Sequence, residues 1–183
     1  GGGMTFPLLT YMVAGHPISD LEWADRRVVA LVEMAATVAT WDSDFFSYWK
    51  ERARNQDKGH NFVFTIERDC GCSMEEAVKL GMHMRNRVLA LFIRLRDVVM
   101  RTASPGLCGY IKGLCHYISG ALTWYVKNNR YGFESGLGGD PCYQQCAIIQ
   151  TEPPEAHDYE PLPIPSIAWW WQHDPAGGAA PRD

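Results

Sequence analysis

Apolar residues recur at helical spacing along most of the chain as far as residue 131. Met4, Leu8, Leu9 and Met12 mark a short first helix, which Gly15, His16 and Pro17 interrupt. Asp20 is placed to cap a helix that continues through Val28, Val29, Leu31, Val32, Ala35 and Val38 and ends near Arg54. A stretch from His60 to Arg68 follows, closed by Cys70 and Gly71. Ser73 and Glu76 then form a capping-box pattern that opens a long helix through Leu80, Val88, Leu91, Leu95 and Val98. Pro105 marks the gap before a last helix from Leu107 to Asn129, in which Gly109, Gly113 and Gly120 lower helix propensity and point to close packing or a bend. No segment sustains a period of two, so the expected fold class is all-α.

From Gly132 the pattern stops. Gly136, Gly138, Gly139, Pro141, Pro153, Pro154, Pro161, Pro163, Pro165 and Pro175 exclude regular helix. The expected organisation is therefore a helical domain over residues 1–133 and a Pro/Gly-rich, largely irregular tail over residues 134–183. Trp169, Trp170 and Trp171 are out of character there. They either anchor the tail to the body or cover a cavity mouth, but disorder around an adhesive apolar patch is the expected state.

With 183 residues and 46% hydrophobic content, the chain is long enough for one domain with a core. Its net charge of -4 comes from interspersed acids and bases, so no basic field recruits nucleic acid. No apolar run approaches the length of a membrane span, and the start lacks a charged and then apolar secretory signal, so a cytoplasmic location is expected. Cys70, Cys72, Cys108, Cys115, Cys142 and Cys146 do not form paired metal-binding spacings, which makes reduced thiols the expectation.

Candidate chemistry is concentrated between Trp41 and Glu51. On a helix, Ser43, Ser47 and Glu51 sweep roughly 80° of the circumference, and Asp44, Ser47 and Glu51 roughly 60°. Polar residues on one helix face are ordinarily solvated. Here Phe45, Phe46, Tyr48 and Trp49 surround them, so the polar stripe is expected to line a cavity in an apolar element. Hydroxyl and carboxylate oxygens suit magnesium, a hard cation commonly completed by waters and substrate phosphates, and Lys50 adds positive charge against such phosphates.

The run from Ser43 to Glu51 resembles the second metal motif of class I terpene cyclases: Asn or Asp, then Asp, two variable residues, Ser or Thr, two more, and Lys-Glu. Ser47 and Glu51 match directly. Ser43 stands where the family carries Asn or Asp, so either Ser43 is a weaker first ligand, or Asp44 or Asp42 substitutes through a small rotation of the helix. Further on, Trp124, five intervening residues and Arg130-Tyr131 are similar to the family's Trp and Arg-Tyr pair. Alone, Arg130 would read as a cation favoured at a helix C-terminus. Residues 60–101 also resemble the family, so the likeness covers 1–133 and leaves out the tail.

The resemblance implies part of a class I terpenoid synthase helical barrel that uses Mg2+ and an isoprenyl diphosphate such as farnesyl diphosphate. It implies Ser43, Asp44, Ser47 and Glu51 as the metal-binding set. Arg130, Tyr131 and Lys50 would hold the diphosphate, while Trp124 and Phe46 would wall the hydrocarbon pocket. The product class expected on family grounds is a sesquiterpene. The family's aspartate-rich motif is not found, and the chain looks like a C-terminal half, with little or no cyclase activity expected of it alone. Uncovered apolar faces would then favour a homodimer or a missing N-terminal half as partner. The alternative is a noncatalytic helical interaction module derived from a cyclase, and chain-elongating prenyl transfer is a weaker third reading.

Overall fold

The computed structural model describes residues 5–15, 17–54, 60–128, 154 and 159–177. Within them the order is α1 (Thr5–Ala14), α2 (Asp20–Ala24), α3 (Arg26–Ala53), α4 (Phe62–Cys70), α5 (Met74–Val99), α6 (Pro105–Lys127) and a 3-10 helix (Ala168–His173). No strand occurs among the described residues. Nor is any helix there long and apolar enough to cross a membrane.

The helix boundaries follow side-chain chemistry, with two departures from expectation. The helix expected to run from Asp20 is two helices. Ser19, rather than Asp20, caps α2 through a reciprocal capping box with Glu22. Asp25 is then extended, at φ -65 and ψ 119, and its carboxylate accepts the Arg27 N–H at 2.8 Å, which starts α3 afresh. Ser73 and Glu76 form the expected box that opens α5, and Gly71 closes α4 at φ 60. Pro105, expected in the gap before the last helix, is instead the first residue of α6, behind the Ser104 cap, where its missing N–H costs nothing.

Helix α3 is the axis of the molecule. Its N-terminal half is rich in small and β-branched residues, and Val28, Leu31, Met34, Ala35 and Val38 form a core with Val88, Leu91 and Leu95 of α5 and Leu107, Ile111 and Leu114 of α6. Helix α1 lies against α6, where a Cβ on Gly113 would come within 3.2 Å of Thr10 Cβ, so glycine permits the close approach. Gly120 meets nothing within 4 Å, and close packing does not explain it. The C-terminal half of α3 belongs to a second cluster, in which Phe45 and Tyr48 pack on Val63, Phe64 and Ile66 of α4 and Ala77 of α5.

The described part of the tail departs most from expectation. Residues 159–177 form a strap across α3 and α5 that completes the main core with Leu162, Trp170 and Trp171. Trp170 is 1% exposed, and its Nε1 donates to Glu33 Oε2 at 2.8 Å. Arg94 holds Asp174 through two bonds of 2.9 and 2.6 Å, Arg87 donates to the Glu160 carbonyl, and the Arg26 guanidinium lies 3.9 Å above the Trp169 ring. The tryptophans anchor the strap because each offers a large apolar face to helices whose flanks carry matching charges. Cys70, Cys72, Cys108 and Cys115 are free thiols, while Cys142 and Cys146 lie outside the described residues.

Candidate functional site

The polar stripe on α3 meets the start of α4. Ser47 is only 4% exposed, and Ser43, Asp44, Lys50 and Glu51 are half-buried, so the stripe is not a solvated face. Opposite it sits Asn61, 3% exposed, whose Nδ2 donates to the Asp44 carbonyl at 2.9 Å and to Glu51 Oε2 at 3.1 Å and lies 3.4 Å from Ser47 Oγ. Its Oδ1 accepts the Val63 N–H at 2.9 Å and caps α4. The adjacent Phe62 N–H donates to Asp44 Oδ2 at 2.9 Å. Three of the expected metal-binding residues, Asp44, Ser47 and Glu51, are thus gathered at one place.

Burial raises the Asp44 carboxyl to about 6 against the pull of the Phe62 N–H, and repulsion from Glu51 adds to the rise. A cation set between those two carboxylates would relieve that repulsion. Asp42 is not available to the stripe. It points to α5, where Arg85 Nε and Nη2 hold its two oxygens at 2.9 and 2.8 Å. At about 100° per residue Asp42 stands some ~140° around the helix from Ser47, so no small rotation brings it across.

The aromatic candidates connect through a ring that sequence reasoning overlooked. Phe46 faces Tyr125 of α6 at 5.7 Å between centroids, and Tyr125 meets Trp124 edge-on at 5.6 Å. Tyr125 OH also donates to the Ala39 carbonyl at 3.2 Å, which pins α6 to α3 beside the stripe. Trp124 itself is 47% exposed. Arg130 and Tyr131 lie outside the described residues. A separate surface groove lined by Ile18, Glu22, Thr102 and Ser104 contains none of the stripe residues.

The donor set fits a hard divalent cation. It consists of the Glu51 and Asp44 carboxylates and the Ser47 and Ser43 hydroxyls, all oxygen. Among the described residues no three His, Cys, Asp or Glu side chains group as a metal site, so a cation held here would depend on serine oxygens and on ligands brought by water or substrate. Two participants in this geometry were given no role from the sequence, Asn61 and Tyr125. Asn61 carried a visible signal, as an Asn directly before the apolar start of a helix.

Residues 1–90 match the family model described as terpene synthase family 2, C-terminal metal binding. The chain is 32% identical over 170 residues to (+)-(1(10)E,4E,6S,7R)-germacradien-6-ol synthase of Streptomyces pratensis, covering 93% of this chain and 47% of that protein. It is 34% identical over 155 residues to spiroviolene synthase of Streptomyces violens, covering 85% and 42% respectively. Among solved structures, a variant of the SVS_A2 protein from ancestral sequence reconstruction superposes with a TM-score of 0.74 at 29% identity, over 93% of this chain and 45% of that one. The chain spans about half the length of the curated relatives it matches. An alignment over 93% of the chain also runs past residue 133, so the likeness takes in part of the stretch expected to fall outside it.

Proposed function

Since the chain belongs to the class I terpene synthases and matches their C-terminal metal-binding region, we propose that it supplies the second metal-binding motif of an enzyme that ionises an isoprenyl diphosphate and cyclises the resulting cation. The observation that carries this reading is the convergence of Asp44, Ser47 and Glu51 around Asn61 at the junction of α3 and α4. Ser43, Ser47 and Glu51, with Asp44 beside them, are the proposed ligands of Mg2+. Bound there, the metal would neutralise charge developing on the departing diphosphate.

The chain's own groups have separable tasks in this proposal. Lys50, one turn position from the ligands, adds positive charge toward the diphosphate, and Arg130 contributes a planar fork suited to phosphate oxygens, with Tyr131 as a hydroxyl donor. Phe46 and Trp124, linked through Tyr125, form an aromatic wall whose ring faces favour cationic carbon and whose bulk excludes water. Farnesyl diphosphate is the proposed substrate, as in the name of the (2E,6E)-farnesyl diphosphate-cyclizing 4-epi-cubebol synthase of Streptosporangium roseum, 28% identical over 131 residues. Other relatives are named diterpene cyclases, which makes a longer isoprenyl diphosphate the second candidate.

Calorimetric titration of the chain with inorganic diphosphate, with and without Mg2+, tests the site. Metal-dependent binding is expected. Glu51→Gln, which keeps size and removes charge, is expected to weaken it by more than the roughly 10- to 100-fold that losing a group behind a metal ligand costs. Binding of diphosphate that ignores both Mg2+ and the Glu51 substitution would remove the metal motif from the account.

A further inference from the structure

We infer that Asn61 is a positioning residue for the metal-binding motif, holding the Glu51 carboxylate and the Ser47 turn in the arrangement a divalent cation requires. The inference rests on the metal-binding reading of α3. Its basis is the use of both ends of one buried amide. The orientation of that amide is forced by chemistry: the Asp44 carbonyl and the Glu51 carboxylate can only accept, and the Val63 N–H can only donate, so Nδ2 must face α3 and Oδ1 must face α4.

Capping α4 does not by itself call for asparagine. Ser, Thr or Asp offers the Val63 N–H an equivalent oxygen. What those residues lack is the pair of amide hydrogens that reaches across to α3. One goes to the Asp44 carbonyl at 2.9 Å and the other to Glu51 Oε2 at 3.1 Å, leaving Ser47 Oγ at the outer limit of bonding, 3.4 Å. Aspartate at this position would add a third carboxylate beside two that already repel each other. The donor on Oε2 leaves Glu51 Oε1 as the oxygen turned to a cation and restrains a side chain that would otherwise sample several rotamers. A hydrogen-bond partner behind a metal ligand acts in this way, by fixing orientation before the metal arrives. The Phe62 N–H to Asp44 Oδ2 bond adjoins it, so the start of α4 grips the motif at two successive residues.

The test uses substitutions that retain the cap and remove the amide. Mn2+ binding to the full chain is followed by the electron paramagnetic resonance signal of free Mn2+, without added diphosphate, which would itself complex the ion. Asn61→Ser and Asn61→Thr are expected to keep α4 folded, by circular dichroism, yet weaken Mn2+ binding about ten-fold. Ser73→Ala, which removes the cap of α5 away from the motif, is the control for a purely structural loss and is expected to leave Mn2+ affinity unchanged. If wild type binds Mn2+ and both Asn61 variants bind it equally well, the positioning role is overturned while the metal site stands. A Ser73→Ala loss equal to that of Asn61→Ser would also overturn it, because unspecific destabilisation would then account for both. No Mn2+ uptake by wild type removes the metal site and this role together.

Discussion

At the residue scale, Glu22 shows how one half-buried carboxylate ties distant caps together. Its Oε1 accepts the Ser104 N–H at 3.0 Å, and its Oε2 accepts from Ser19 N and Oγ at 3.1 and 2.9 Å, so the start of α2 is bound to the start of α6. Hydrogen bonds from Ser104 and Ser19 pull its carboxyl from the usual 4.5 down to about 2. A folded-state value below the unfolded one means the stabilisation is fully present above 4.5 and fades as the pH falls toward 2. Glu22→Gln keeps an acceptor without the charge. Its melting temperature is expected to fall below wild type at neutral pH, with the difference closing as the solution is acidified toward pH 2. Melting curves by circular dichroism across that range check the sign.

At the scale of elements, α3 carries two polar programmes on different faces. One face meets Asn61, and the other places Asp42 against Arg85 of α5 in a buried, two-bond fork, 4% and 8% exposed respectively. Such a pair sets the rotation of α3 about its axis and hence the direction in which Ser43, Ser47 and Glu51 point. Arg85→Met leaves the Asp42 charge buried and unpaired, which is expected to cost about 3–5 kcal/mol in urea unfolding. Adding Asp42→Leu to Arg85→Met should recover most of that loss, since an apolar pair of similar volume has no charge to desolvate. The same urea series on single and double variants separates the two cases.

Across the whole molecule, the strap decides how complete the core is. Leu162, Trp170 and Trp171 bury apolar surface in the main core, and each large side chain so buried is worth about 1.5–3 kcal/mol. Ending the chain after residue 158 removes all three and leaves Glu33 and Arg94 without their strap partners. The loss is expected to be on the order of 5 kcal/mol, comparable with the whole stability of a modest domain, and to appear as a large fall in melting temperature with binding of hydrophobic dyes. The strap was misjudged in the sequence because proline-rich stretches cannot form helix, and the inability to form helix is not an inability to pack. Pro161, Pro163 and Pro165 each fix φ, and the segment packs by turning, with the Ile164 N–H donating to the Leu162 carbonyl at 2.7 Å and the Ala168 N–H to the Ile164 carbonyl at 3.0 Å.

The helices, most of their caps and the spacing of Ser43, Ser47 and Glu51 were readable from the amino-acid order, because each depends on groups within about one or two helical turns of one another. The break at Asp25 was missed even at that range, since an aspartate can equally sit inside a first turn or cap the next helix. Pairings across the fold were a different matter. That Asp42 goes to Arg85 and not to the polar stripe, that Asn61 grips Glu51, and that Trp170 seeks Glu33 follows from how α3, α4, α5 and the strap pack. Each side chain had several chemically acceptable partners along the chain, and only the close packing of the assembled helices left one within bonding distance.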